Sequence, residues 1–145
     1  GNGKCGFRLS ESGSDKTEKS YELEATSDAG KSWLVVNDDP FAGKTGIAEG
    51  IIFFTTQYGY IGLTDETGEK SEIYVTYDGG ESFIKIEISV DMVPQLKYDA
   101  ADYDYYSMPT ESDGKTSINV TTMRSDSGEL VFVSEDDGKT WSPAE

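Results

Sequence analysis

Histidine is absent from the 145 residues, cysteine occurs once, and arginine occurs only as Arg8 and Arg124. Without histidine the chain lacks the usual general base near neutral pH, the commonest zinc ligand, and any Ser-His-Asp or Cys-His catalytic arrangement. The lone Cys5 permits no intrachain disulfide and no paired-thiol metal or redox site, so it reads as a small structural or terminal thiol. Long apolar runs are missing as well. None is longer than Ile51-Ile52-Phe53-Phe54, far short of the roughly 20 residues that a membrane-spanning helix requires. Positive charge is scarce: 12 Lys and Arg face 28 Asp and Glu, a formal net charge of −16. Such a surface repels phosphate backbones and anionic lipid, so nucleic acid and membrane insertion are excluded as partners. The chain opens Gly1-Asn2-Gly3 and shows no charged segment followed by an apolar one, so any signal peptide has been removed or never existed.

What is present points to strands. Nearly every apolar cluster is short, rich in β-branched or aromatic residues, and bounded by Gly, Asp, Asn or Ser. Strands are predicted over Gly6 to Ser10, Tyr21 to Thr26, Trp33 to Val36, Gly50 to Thr56, Tyr58 to Leu63, Glu72 to Tyr77, Phe83 to Val90, Thr116 to Thr122 and Glu129 to Ser134. Many short strands separated by turn signals suit an all-β sandwich, barrel or propeller. The length suits one domain, 1–145, that buries about two-thirds of its unfolded surface.

Internal repetition narrows the choice. Three segments align without a gap: Thr26-Ser27-Asp28-Ala29-Gly30-Lys31-Ser32-Trp33, Thr76-Tyr77-Asp78-Gly79-Gly80-Glu81-Ser82-Phe83, and Ser134-Glu135-Asp136-Asp137-Gly138-Lys139-Thr140-Trp141. Each places hydroxyl residues at the first and seventh positions, Asp at the third, Gly at the fifth and an aromatic at the eighth. The Asp accepts backbone N–H bonds ahead of it, and the Gly supplies the positive φ of a tight turn. The hydroxyls add local backbone bonds. The closing Trp or Phe then lays an apolar face on the hairpin. The expected role is therefore a structural clasp.

These three segments resemble the Asp-box, or BNR, repeats of sialidases, sortilin-type receptors and secreted bacterial β-propellers. The resemblance implies one box per four-stranded blade, joining its third and fourth strands, with no catalytic part for the box itself. It implies blades at about 1–40, 46–92 and 95–145, the first lacking its innermost strand and the last breaking off at its outer one. A Gly-aromatic strand recurs ahead of two boxes, at Gly6-Phe7-Arg8-Leu9 and Gly59-Tyr60-Ile61-Gly62-Leu63. Closed propellers use four to eight blades. Three blades thus call for the remainder of a longer chain, a homodimer closing a six-bladed ring, or a different packing of the sheets. Extracellular or cell-surface location is what the resemblance implies.

Sialidases of this family clamp the substrate carboxylate with three arginines, and two cannot build that triad. Other glycosidases need only two suitably spaced carboxylates, but most acids here sit in turns such as Asp38-Asp39-Pro40 and Glu135-Asp136-Asp137, where solvation accounts for them. No catalytic residue is therefore assigned. Lys44-Thr45 after Gly43 lacks the leading glycine and spacing of a phosphate loop.

One segment stands apart. Trp33 and Phe83 are 50 residues apart and Phe83 and Trp141 are 58 apart, so an insertion separates the second and third repeats. It contains Tyr98-Asp99-Ala100-Ala101-Asp102-Tyr103-Asp104-Tyr105-Tyr106. Tyrosine rings stack on sugar or peptide faces while carboxylates accept hydrogen bonds. Tyr98, Tyr103, Asp104, Tyr105 and Tyr106 are the candidate ligand contacts; the competing reading is that the rings cover the core edge. Asp99, Asp102 and Asp104 are weaker calcium candidates, since their spacing departs from the twelve-residue EF-hand loop. The expectation is an all-β, non-catalytic recognition or scaffold module with no cofactor and with a glycan or protein ligand. The rival is part of a glycoside hydrolase whose active site is completed elsewhere.

Overall fold

The computed structural model describes residues 4–11, 21–41, 44, 46–65, 67–68, 70–94, 96–122 and 128–144. They form three antiparallel sheets and no α-helix. The first sheet joins β1 (Gly6–Glu11), β2 (Tyr21–Thr26) and β3 (Leu34–Asn37) in chain order. The second joins β4 (Ile47–Phe53), β5 (Gly59–Thr64), β6 (Ser71–Thr76) and β7 (Ile84–Lys85), also in chain order. The third runs β12 (Ser142–Pro143), β11 (Leu130–Ser134), β10 (Lys115–Thr121), β8 (Tyr105–Tyr106), with β9 (Thr110–Ser112) hairpinned onto the start of β10. Neighbouring β-strands lie close in sequence because short turns suffice for antiparallel pairing.

The two central strands of the middle sheet are buried on both faces, and this organises the molecule. All six residues of β5 are buried, and on β6 only Glu72 is not. Ile61, Leu63 and Tyr74 face one core with Tyr21 and Phe41. Their alternates Tyr60, Ile73 and Val75 face a second core with Ile118, Val120 and Phe132 of the third sheet. Burying each such Val, Ile or Phe contributes about 1.5–3 kcal/mol. A hydroxyl chain spans the second core: Tyr58 Oη lies 2.6 Å from Tyr60 Oη and 3.0 Å from Thr116 Oγ1. These bonds satisfy polar groups that would otherwise be costly to bury.

The outer sheets alternate instead. On β10, Thr116, Ile118 and Val120 are buried while Lys115, Ser117, Asn119 and Thr121 are not. On the first sheet, Arg8 lies opposite Glu24 and Ser10 opposite Glu22, a polar outward face, with Arg8 Nε 2.9 Å from Glu24 Oε1. One face wet and one face dry is the usual state of an antiparallel sheet at a surface.

Most predicted strands lie within one residue of the observed ones, but the one predicted over Gly50 to Thr56 runs earlier, as Ile47–Phe53, the short β12 falls outside the predicted strands, and two further places differ in kind. The strand predicted over Phe83 to Val90 pairs only at Ile84–Lys85, and one further bond runs from Ile86 N to Ile73 O. Ile86, Ile88 and Val90 are all buried. Their alternation is real, but it seats three side chains in the second core while the backbone leaves β6 and enters a 3-10 turn, Val90–Met92. The second place is the insertion, where β8 and β9 are too short to show a period.

Candidate functional site

The three boxes occupy the turns β2–β3, β6–β7 and β11–β12, between the last two strands of each sheet. The first hydroxyl donates to the aspartate at 2.7 Å in all three: Thr26 to Asp28, Thr76 to Asp78, and Ser134 to Asp136. The same hydroxyl accepts the N–H of Gly30, Gly80 or Gly138 at 3.0, 2.9 and 2.8 Å. The aspartate then accepts the N–H of Ser32, Ser82 or Thr140 at 2.8, 2.9 and 2.8 Å, together with that residue's hydroxyl. Trp33 and Trp141 close the loop by donating Nε1–H to the carbonyls of Gly30 and Gly138, a bond that Phe83 cannot make. The Ser32 and Thr140 hydroxyls head the bonds that hold the Asp28 and Asp136 carboxyls down at about 2. The aspartate and the two hydroxyls of each clasp are thus spent on its own turn.

The boxes do have a second use, in docking. Gly80 has φ +97°, and a Cβ built there would lie 2.2 Å from Leu23 of the first sheet. Asn37 Nδ2 donates to the carbonyls of Gly80 and Glu81 at 3.0 and 3.2 Å. One repeat on, a Cβ at Gly138 would lie 2.2 Å from Tyr60 Oη of the second sheet, and Tyr77 Oη donates to Asp137 O at 2.8 Å. Each later box therefore seats on the sheet before it.

The chemistry-bearing concavity is elsewhere, where β7 parts from β6. The parting opens a cleft of about 510 Å³. Its floor is the start of β6, one wall is Lys85 and the segment after it, and the other is the Tyr/Asp insertion. Ser71 fastens that insertion: its Oγ donates to Tyr106 O and accepts from Tyr106 N, both at 2.7 Å, and its N–H donates to Asp104 O at 3.0 Å. Tyr103, Asp104 and Tyr106 consequently line the cleft. Tyr103 is 4 % exposed and belongs to the second core, while Tyr106 is half-buried and its hydroxyl is pushed up by burial. Tyr98 packs at the rim of the same core, and Tyr105 lies beside Glu49, so neither lines the cleft. Asp99, Asp102 and Asp104 do not converge: among the described residues no three acidic or thiol side chains are gathered as a metal site.

Three lysines line the cleft in a strongly acidic chain. Lys44 Nζ and Lys85 Nζ both reach Glu72 Oε2, at 2.6 and 2.9 Å, and Lys70 Nζ lies 3.9 Å from Asp104 Oδ2. Burial raises the Glu72 carboxyl, but the two lysine bonds outweigh it and hold the group below its usual range. Glu72 in turn lifts the Lys44 ammonium above its usual range. Nothing local in the sequence marks these residues. They come from a linker, a hairpin end and an outer strand, and only folding gathers them.

Glu49 is a separate oddity. It is the extra residue of a bulge between the pairs Ala48–Leu63 and Gly50–Gly62. A bulge re-aims side chains. Here one carboxylate oxygen is buried without a partner, and burial raises the group's pKa, with the Tyr105 and Ser71 hydroxyls opposing.

No protein-family model matches the chain, and no curated protein matches it.

Proposed function

We propose that the chain is a non-catalytic recognition module of the Asp-box type, placed outside the cell or on its surface, with the cleft beside the Tyr/Asp insertion as its ligand site. The observation that carries this reading is the cleft itself: about 510 Å³, walled by Tyr106 and Tyr103, and lined by paired charges. Its volume lies in the range of small-ligand sites, and its lining is richer in charged and polar side chains than in apolar ones. The absence of histidine and the engagement of Arg8 with Glu24 and the Trp33 ring, 4.1 Å away, support binding over turnover. Arg124 lies outside the described residues.

The blade reading is part of the same proposal. A box between the last two strands of each of three successive sheets is the arrangement that the family resemblance implies. The location rests on that resemblance alone.

The test is a binding screen of glycans and peptides read at the cleft. Tyr106→Ala removes the half-buried wall, and its binding is expected to fall about ten-fold, the scale of one lost aromatic contact. Measurable turnover of any glycoside by this chain would overturn the reading.

A further inference from the structure

The charges around the cleft are arranged in a way that selects a ligand class. We propose that the cleft takes a neutral, polyhydroxylated ligand, one or two sugar rings of a glycan, held between the Lys44–Glu72–Lys85 bridge and the Lys70–Asp104 pair. This rests on the reading of the cleft as the ligand site.

The first argument is charge balance. Lys44, Lys70 and Lys85 face Asp65, Glu72, Glu87 and Asp104 across the cleft, almost cancelling, while the whole chain carries −16. An anionic ligand would be opposed by the long-range field and would have to displace Glu72 from two lysines. A cation would meet three ammonium groups at close range. A hydroxyl avoids both costs, because it donates to a carboxylate and accepts from an ammonium at once, leaving neither ion unpaired. Vicinal hydroxyls repeat that match along a bridge of alternating charge such as lysine, glutamate, lysine.

The second argument is the wall. Tyr106 lines the cleft in front of the nearly buried Ile86 and Ile88 and offers apolar surface to the C–H faces of a sugar ring. The third argument disfavours a peptide. An extended peptide would need a free ladder on the β6 edge. There the Ser71 N–H is taken by Asp104 O, and Ile73 O is taken by Ile86 N.

The experiment is an amide NMR titration of the 145-residue chain with cellobiose, xylobiose and mannobiose, with digalacturonate as the acidic sugar and trialanine as the peptide, at low and high salt. At least one neutral disaccharide is expected to shift the amides of Ser71, Lys85 and Tyr106, with affinity changing less than about two-fold with salt, since no net charge is neutralised. Glu72→Gln and Asp104→Asn are each expected to weaken that binding about ten-fold, the scale of one charge-assisted hydrogen bond. Lys70 is largely exposed, so Lys70→Gln leaves folding intact and must weaken binding too. Lys115→Gln, paired with Glu135 away from the cleft, is the control and leaves binding unchanged.

Tighter binding of digalacturonate that collapses with salt overturns the neutral class while the recognition reading stands. Cleft shifts with trialanine alone do the same. No cleft shift with any probe overturns both, and hydrolysis of a probe overturns the non-catalytic reading.

Discussion

A single aspartate in each box does the work of several turn residues, because its two oxygens serve the hydroxyl and the N–H of the seventh residue together. This stabilisation depends on the charged carboxylate. The Asp28 and Asp136 carboxyls are lowered from 3.8 to about 2, and Asp78 is lowered too, where burial opposes but the hydrogen bonds from Ser82, Thr76 and the backbone together outweigh it. A depressed folded pKa stabilises fully above the unfolded value and is lost as pH falls through the folded one. The thermal midpoint is therefore expected to fall between about pH 4 and pH 2 through these groups. Asp28→Asn, Asp78→Asn and Asp136→Asn combined should flatten that part of a melting series; an unchanged acid slope would show that the boxes carry none of it.

Glu49 has the opposite sign. Its raised pKa means that the folded state prefers the neutral acid, so a cost appears as pH rises above the unfolded value of 4.5. Glu49→Gln is expected to stabilise the chain at pH 7, where the buried carboxylate is charged, and to be nearly neutral at pH 4. Equal effects at both values, read by denaturant melts, would rule out the charge as the cause.

At the scale of elements, equivalent glycines have unequal duties. All three carry positive φ: Gly30 +87°, Gly80 +97° and Gly138 +83°. The residues ahead of them, Ala29, Gly79 and Asp137, are left-handed as well. A Cβ at Gly30 meets nothing nearer than 3.7 Å, whereas at Gly80 and Gly138 it meets the fully buried Leu23 and Tyr60 at 2.2 Å. Gly30→Ala is expected to cost about 1 kcal/mol, from backbone strain alone. Gly80→Ala and Gly138→Ala add overpacking and should cost about 2–4 kcal/mol each. Equal losses across the three, measured by chemical denaturation, would mean that the boxes do not dock on neighbouring sheets.

At the scale of the whole molecule, the two central strands of the middle sheet are dry on both faces, and the outer sheets turn polar rows outward, interrupted by exposed Leu34, Val35 and Val131. Repeat arrays require such polar faces at their ends for solubility. The Arg8–Glu24 face of the first sheet and the Lys115, Ser117, Asn119 and Thr121 row of the third meet that need. The 145-residue chain is accordingly expected to be a monomer by light scattering at all concentrations. A concentration-independent dimer would instead favour the closed six-bladed ring.

Residue type and spacing alone determined the all-β class, most strand positions and, in the three boxes, the aspartate that accepts backbone N–H bonds and the glycine at positive φ. All of these are local: a strand shows in alternation over six residues, and a box closes within eight. The tertiary structure alone decided that the Ile86–Ile88–Val90 alternation fills a core after a single further bond to β6, that Tyr103 is buried while Tyr106 is only half-buried, and that Lys44, Lys70, Lys85 and Glu72 meet at one cleft. Those outcomes depend on which sheet lies against which face, and contacts between residues distant along the chain leave no periodicity in it to read.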